Sequence, residues 1–136
     1  MNIIVCIDDN QGMLFNKRRQ SRDVKVLEDI ATLTDTLWIS SFSEKLFENV
    51  SETVRFQLNI DDSFLNQTHD SGYCFVENEK ILPYEKNIEQ LIIYKWNRKY
   101  PSDFKLDLNL EEWKLVESVD FVGNSHNKIT REIYEK

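Results

Sequence analysis

No stretch of the 136 residues approaches the ~20 consecutive apolar residues of a membrane span. The first residues, Met1-Asn2-Ile3-Ile4-Val5, lack the basic region and small-residue cleavage site of a signal peptide. They run directly into a structural element. Cysteine is nearly absent: Cys6 and Cys74 stand alone, each inside an apolar run, which suits buried free thiols in a reducing compartment rather than a disulfide framework or a zinc site. The expectation is a cytoplasmic protein. Positive charge is also in short supply, with 17 Lys and Arg against 24 Asp and Glu and a formal net charge of -7. A surface built throughout for nucleic acid is therefore excluded, although a local basic site is not. Proline occurs twice and glycine three times, as Gly12, Gly72 and Gly123.

What is present is enough to fold. Hydrophobic residues make up 40% of the chain and aromatics 12%, which offsets chain entropy for about one domain, read here as residues 1–136. Ile3 to Ile7 is an apolar, β-branched run closed by Asp8-Asp9-Asn10-Gln11-Gly12, the pattern of a central strand. After the polar segment 16–23, Ser21 reads as an N-cap with Asp23 in the first turn. Val24, Leu27, Ile30 and Ala31 then predict an amphipathic helix over 22–32. Leu37-Trp38-Ile39 predicts a short strand, and Ser41-Phe42-Ser43-Glu44 a capping box opening a helix over 42–49. Val54, Phe56, Leu58 and Ile60 alternate as in a half-buried strand, and 61–72 is polar and turn-rich. Tyr73 to Val76 and Leu91 to Tyr94 predict buried strands, with Pro83 limiting any helix between them. Residues 101–109 read as a connection. Trp113, Leu115, Val119 and Phe121 predict a long strand with one face inward. Ile129 and Ile133 suit a helix face and a strand equally. The fold class expected is α/β: a mixed, mostly parallel sheet with helices on both faces.

This order of elements resembles dihydrofolate reductase. Ile3 to Met13 is similar to that family's opening strand and mobile loop, and Leu37-Trp38-Ile39-Ser40-Ser41 to its second strand and the helix after it. Ser102-Asp103-Phe104-Lys105-Leu106 resembles its G-D-x-x-F-P region, Trp113 to Ser118 its D-W-x-x-V-x-S strand, and Ser125 to Lys136 its closing hairpin. The resemblance implies a C-terminal antiparallel hairpin, so 129–134 would be a strand.

It also implies where the chain departs. The family holds a nicotinamide dinucleotide with Gly-Arg-x-Thr after the second strand and Gly-Gly after a later one. Here the first site reads Ser40-Ser41-Phe42-Ser43, and the second Glu77-Asn78-Glu79. Each close contact between a carboxylate and a ligand phosphate costs about 4 kcal/mol at about 4 Å and an effective dielectric of about 20. No cofactor is therefore expected. By the same resemblance Asp23 stands where the family keeps the acid that protonates and orients a pterin; otherwise it is an acid of a first helical turn.

The leading expectation is a ligand-binding or interaction protein that has lost NADPH binding, whose candidate ligand-binding residues are Arg18, Arg19, Arg22, Ser40, Ser41, Ser43, Glu77 and Asn78, with Asp23 as the candidate catalytic residue. Its partner would be a small anionic or heterocyclic ligand. One alternative is a reductase of a pterin or related heterocycle with an unusual cofactor mode. Another is a phosphate- or RNA-binding protein using the 17–22 basic loop, whose arginines otherwise pair with Asp8, Asp9 and Asp23 on a solvated surface. Asp8 and Asp9 also read as turn chemistry. Trp96-Asn97-Arg98-Lys99-Tyr100 mixes aromatics and cations, as core and rim packing does and as single-strand nucleic-acid platforms do. Ser125 and His126 adjoin without an acid partner visible in sequence. The segment 12–23 is also similar to short bacterial proteins filed as "ribonuclease Z", but His69 and His126 cannot supply the H-x-H-x-D-H zinc motif of that enzyme, and no metal site is expected.

Overall fold

Ile3, Ile4, Val5 and Ile7 offer no polar face, and β1 (Asn2–Ile7) accordingly lies in the interior of a sheet, buried on both sides. The computed structural model describes residues 1–48, 55–66 and 72–136. Among these, seven strands form one sheet in the order β5 (Gln57–Ile60), β4 (Thr36–Ile39), β6 (Tyr73–Phe75), β1, β7 (Gln90–Lys95), β10 (Ile129–Glu135) and β9 (Lys114–Phe121). β1 runs parallel to β6 and β7, and β4 parallel to β5 and β6, whereas β10 is antiparallel to β7 and β9. This is the mixed, mostly parallel α/β sheet with an antiparallel C-terminal hairpin. The segment whose periodicity suited helix and strand alike is the strand β10.

The sheet separates two apolar layers. On one face, Val26, Leu27 and Ile30 of α1 (Val24–Leu33) and Phe47 of α2 (Glu44–Glu48) pack on Ile4, Phe75, Ile92 and Ile133. On the other, short 3-10 turns at Phe64–Asn66 and Leu82–Asn87 and a small sheet cover Ile3, Val5, Cys74 and Ile93. That small sheet is β2 (Gly12–Phe15), β3 (Arg18–Arg19) and β8 (Phe104–Lys105). Asn16 and Lys17 join β2 to β3 with φ of 51° and 62°, the two positive values of a tight hairpin turn.

Several local expectations are corrected. The residue capping α1 is Asp23, not Ser21: its carboxylate accepts from the Lys25 amide. Ser41 forms no capping box; residues 41–43 make a 3-10 turn, and the Ser41 amide and hydroxyl both donate to Asp62, each at 2.8 Å. The strand expected over 54–60 begins only at Gln57, residues 55 and 56 being irregular; Val54 lies outside the described residues, as does His69. The polar segment 16–23 and the connection 101–109 contribute the strands β3 and β8. Trp113 is buried, but β9 does not turn one face inward, because it is an edge strand with Leu115, Val116 and Val119 exposed.

Candidate functional site

In open α/β sheets, ligand sites gather beyond the carboxyl ends of the parallel strands. Here those ends deliver Asp8 after β1, Ser40 after β4, Glu77 after β6 and Trp96 after β7. Because β10 is antiparallel to β7, the 122–128 turn that precedes it arrives at the same end. So does the start of α1.

A narrow cleft lies there, lined by apolar Cys6, Met13, Val26, Leu27, Phe75 and Trp96 together with the polar run 19–23 and Glu77. It encloses about 20 Å³, room for about one water. Two open hollows flank it. One, of about 330 Å³, carries Arg22, Asp23, Asn124 and Ser125. The other, of about 300 Å³, carries Phe15, Arg18, Arg19 and Tyr100.

The basic loop is divided in its use. Arg19 reaches Glu77 with a two-pronged contact, Nε to Oε2 at 2.7 Å and Nη2 to Oε1 at 2.8 Å. Its guanidinium also lies 5.3 Å from the Phe42 ring centre. The Glu77 hydrogen bond, helped by that carboxylate's charge and opposed by burial, holds the guanidinium pKa above its ordinary value. The hydroxyl of Ser43, wholly buried, donates to Glu77 Oε1 at 2.8 Å, and Ser40 donates to Asn78 Oδ1 at 3.4 Å. Thus Arg19, Ser43 and Glu77 form one cluster, with Ser40 and Asn78 bridging the ends of β4 and β6 beside it. Ser41 is not part of it; it is exposed and held by Asp62. Arg18 and Arg22 are exposed, with no ion-pair partner among the described residues. None of the loop arginines pairs with Asp8, Asp9 or Asp23. Asp8 instead accepts from the amides of Asn10, Gly12 and Tyr100, which outweigh burial and keep its carboxyl below the ordinary range.

Asp23 is buried, and both its oxygens are engaged. Oδ1 accepts from the amides of Lys25 and Asn124; Oδ2 accepts from the Ser125 amide and hydroxyl and from His126 Nδ1 at 2.9 Å. Burial alone would push this carboxyl up, but the Asn124 amide, the His126 ring and the Ser125 and Lys25 amides together hold it at about 2. Gly123 makes the approach possible: a Cβ there would sit 2.6 Å from Asp23 Oδ2.

His126 is the residue that sequence reasoning undervalued. Its ring stacks on Trp96, centres 4.7 Å apart and planes 25° apart. Nε2 lies 3.0 Å from Ser21 Oγ and 3.1 Å from the Tyr100 hydroxyl. The acid partner missing from its sequence neighbourhood is Asp23, 103 residues away. The only hint was a Gly-Asn-Ser-His turn placed just before the closing strand. Among the described residues no group of three or more His, Cys, Asp or Glu side chains could hold a metal ion. No helix of the described residues is long and apolar enough to cross a membrane.

No family model and no curated protein matches this sequence. Its structure does find a counterpart among solved ones: dihydrofolate reductase from Enterococcus faecalis, complexed with NADP(H) and RAB-propyl. The superposition covers 98% of this chain and 94% of that one, with a TM-score of 0.66 at 12% sequence identity. The chain is thus similar to that enzyme in its fold, and the architecture described above is dihydrofolate reductase-like.

Proposed function

We propose that this protein uses a dihydrofolate reductase-like scaffold to hold a small anionic or heterocyclic ligand and has given up NADPH-dependent reduction. The observation that carries the reading is the Arg19–Glu77–Ser43 cluster. A dinucleotide-binding crevice needs backbone that approaches a pyrophosphate closely and donors left free to meet it. Here a carboxylate occupies that strand end, and the arginine able to offset it is already bound to it. Asp23 supports the same reading. To orient a pterin it would need a carboxylate oxygen facing the cleft, and both accept hydrogen bonds from the 123–126 turn and the helix it caps. A cleft enclosing about 20 Å³ is also far smaller than the ~300 Å³ or more of ordinary ligand pockets.

Anion recognition falls to the open hollows, where Arg18 and Arg22 keep their charge unspent. Calorimetry and thermal shift with NADPH, dihydrofolate, mononucleotides and inorganic phosphate test the proposal. The expected result is no NADPH binding, and stabilisation by a small anion that weakens with salt and is lost in an Arg18→Ala/Arg22→Ala double variant. Tight NADPH binding with hydride transfer would overturn it. RNA retention controlled by the same arginines would move the assignment to the basic-loop alternative, against the chain's net charge.

A further inference from the structure

Three side chains beside the cleft have an order that ligand binding does not require. Ser21 Oγ meets His126 Nε2 at 3.0 Å, and His126 Nδ1 meets Asp23 Oδ2 at 2.9 Å. Asp23, an ionised acceptor, fixes the proton of the neutral imidazole on Nδ1, leaving Nε2 with a lone pair aimed at the serine hydroxyl. Trp96 holds the ring plane. Ser21 itself lines the cleft and is half-buried, whereas the His126 side chain is buried.

We propose that Ser21 is an activated nucleophile, with His126 as its general base and Asp23 as the positioning residue, giving the protein an ester-hydrolysing activity that needs no nicotinamide cofactor. In the first step Ser21 Oγ bonds to the ester carbonyl carbon while its proton passes to His126 Nε2, and the carbonyl π pair moves to oxygen. That oxyanion collapses, the bond to the alcohol oxygen breaks, and the alcohol leaves with the proton from Nε2. Water then attacks acyl-Ser21 by the same route, releasing the carboxylic acid and restoring the serine.

Two features set the substrate class. The enclosed volume of about 20 Å³, room for about one water, disfavours any acyl group larger than acetyl. Arg22, next to the nucleophile and lining both the cleft and an open hollow, favours an anionic group on the alcohol side and supplies positive charge for the oxyanion. Tyr100 modulates the base. Its hydroxyl lies 3.1 Å from Nε2 and 3.5 Å from Ser21 Oγ; with the imidazole proton on Nδ1 it donates in either contact, and in the shorter one it competes with Ser21 for the Nε2 lone pair.

The full chain should be treated with an alkyl fluorophosphonate and the adduct mapped by mass spectrometry, in parallel with release of p-nitrophenol from acetate and butyrate esters. The expected result is one adduct on Ser21, absent in Ser21→Ala and unaffected in the distant Ser118→Ala. His126→Gln should slow labelling about 100-fold with the circular dichroism spectrum retained, and acetate should be preferred to butyrate. Should His126→Gln fail to fold, Tyr100→Phe decides: labelling at or above the wild-type rate supports His126 as the base. A Tyr100→Phe rate below about a tenth of wild type would make Tyr100 the activator and overturn the relay. Absence of any Ser21 adduct, or equal rates in wild type and His126→Gln, overturns the proposal outright, and neither result bears on whether Arg18 and Arg22 bind an anion.

Discussion

At the scale of single residues, Asp23 does several jobs with one carboxylate, capping α1 and anchoring the 123–126 turn. Its pKa of about 2 lies below the ordinary 3.8, so the unfolded chain takes up that proton more readily than the folded one. The stabilisation is complete above pH 3.8 and disappears as pH falls through about 2. The shift corresponds to roughly 2 kcal/mol. Asp23→Asn should therefore be less stable than wild type at pH 6, and urea titrations at falling pH should show the difference shrinking towards pH 2. Glu77 should behave differently. Glu77→Gln leaves Arg19 partly buried without its counter-charge and should cost about 1–3 kcal/mol, a discount on the value for fully buried pairs because Arg19 retains some exposure. An Arg19→Met/Glu77→Leu double variant should recover much of that loss in the same titrations, since it removes both charges together. Arg19 is legible as a candidate from the basic run 17–22, and Asp23 and Glu77 from the positions that the resemblance gives them. Their partners are not. Nothing local ties Asp23 to His126 or Arg19 to Glu77, because the hydrogen bonds exist only once the strand ends are assembled.

At the scale of elements, hydrophobic runs identified the strands buried on both faces and the amphipathic pattern identified α1. The failures have physical causes. The β2–β3 hairpin hides in a polar stretch because its turn is made by Asn16 and Lys17 rather than by glycine. β9 misled in the opposite direction, since Leu115, Val119 and Phe121 alternate as if one face were buried. Its position at the sheet edge leaves Leu115 at 47% and Val119 at 38% exposure. A long apolar edge is a template for unwanted pairing, and charge on it blocks that pairing. Val119→Lys should leave stability within about 0.5 kcal/mol of wild type, as surface changes generally do. In light scattering it should lower self-association at high concentration. A large loss of stability would show that Val119 contributes more packing than its exposure indicates.

At the scale of the whole molecule, the sequence announced an α/β sheet and an ordered resemblance, but not that β10 would bind both sides of the site together. β10 inserts between β7 and β9 and brings Arg131 to Asp29 on α1 and to Glu117 on β9. The Tyr94 hydroxyl of β7 donates to the same Asp29 at 2.7 Å, so helix and strands share one polar anchor inside an apolar layer. The turn leading into β10 carries His126 and the amides that satisfy Asp23. Removing 129–136 would expose Ile92 and Leu91, unpair one side of β7, take Arg131 from Asp29, and untether the turn whose amides and His126 hold Asp23. The losses are coupled rather than additive, because the same strand positions all of them. Such a truncation should therefore abolish cooperative unfolding, with near-ultraviolet circular dichroism lost and a hydrophobic dye bound. A truncated chain that still melted in one sharp transition would mean that the five strands β5, β4, β6, β1 and β7 form a self-sufficient core with α1. In that case the Asp23–His126 pair would be an accessory to the fold, free to serve chemistry alone.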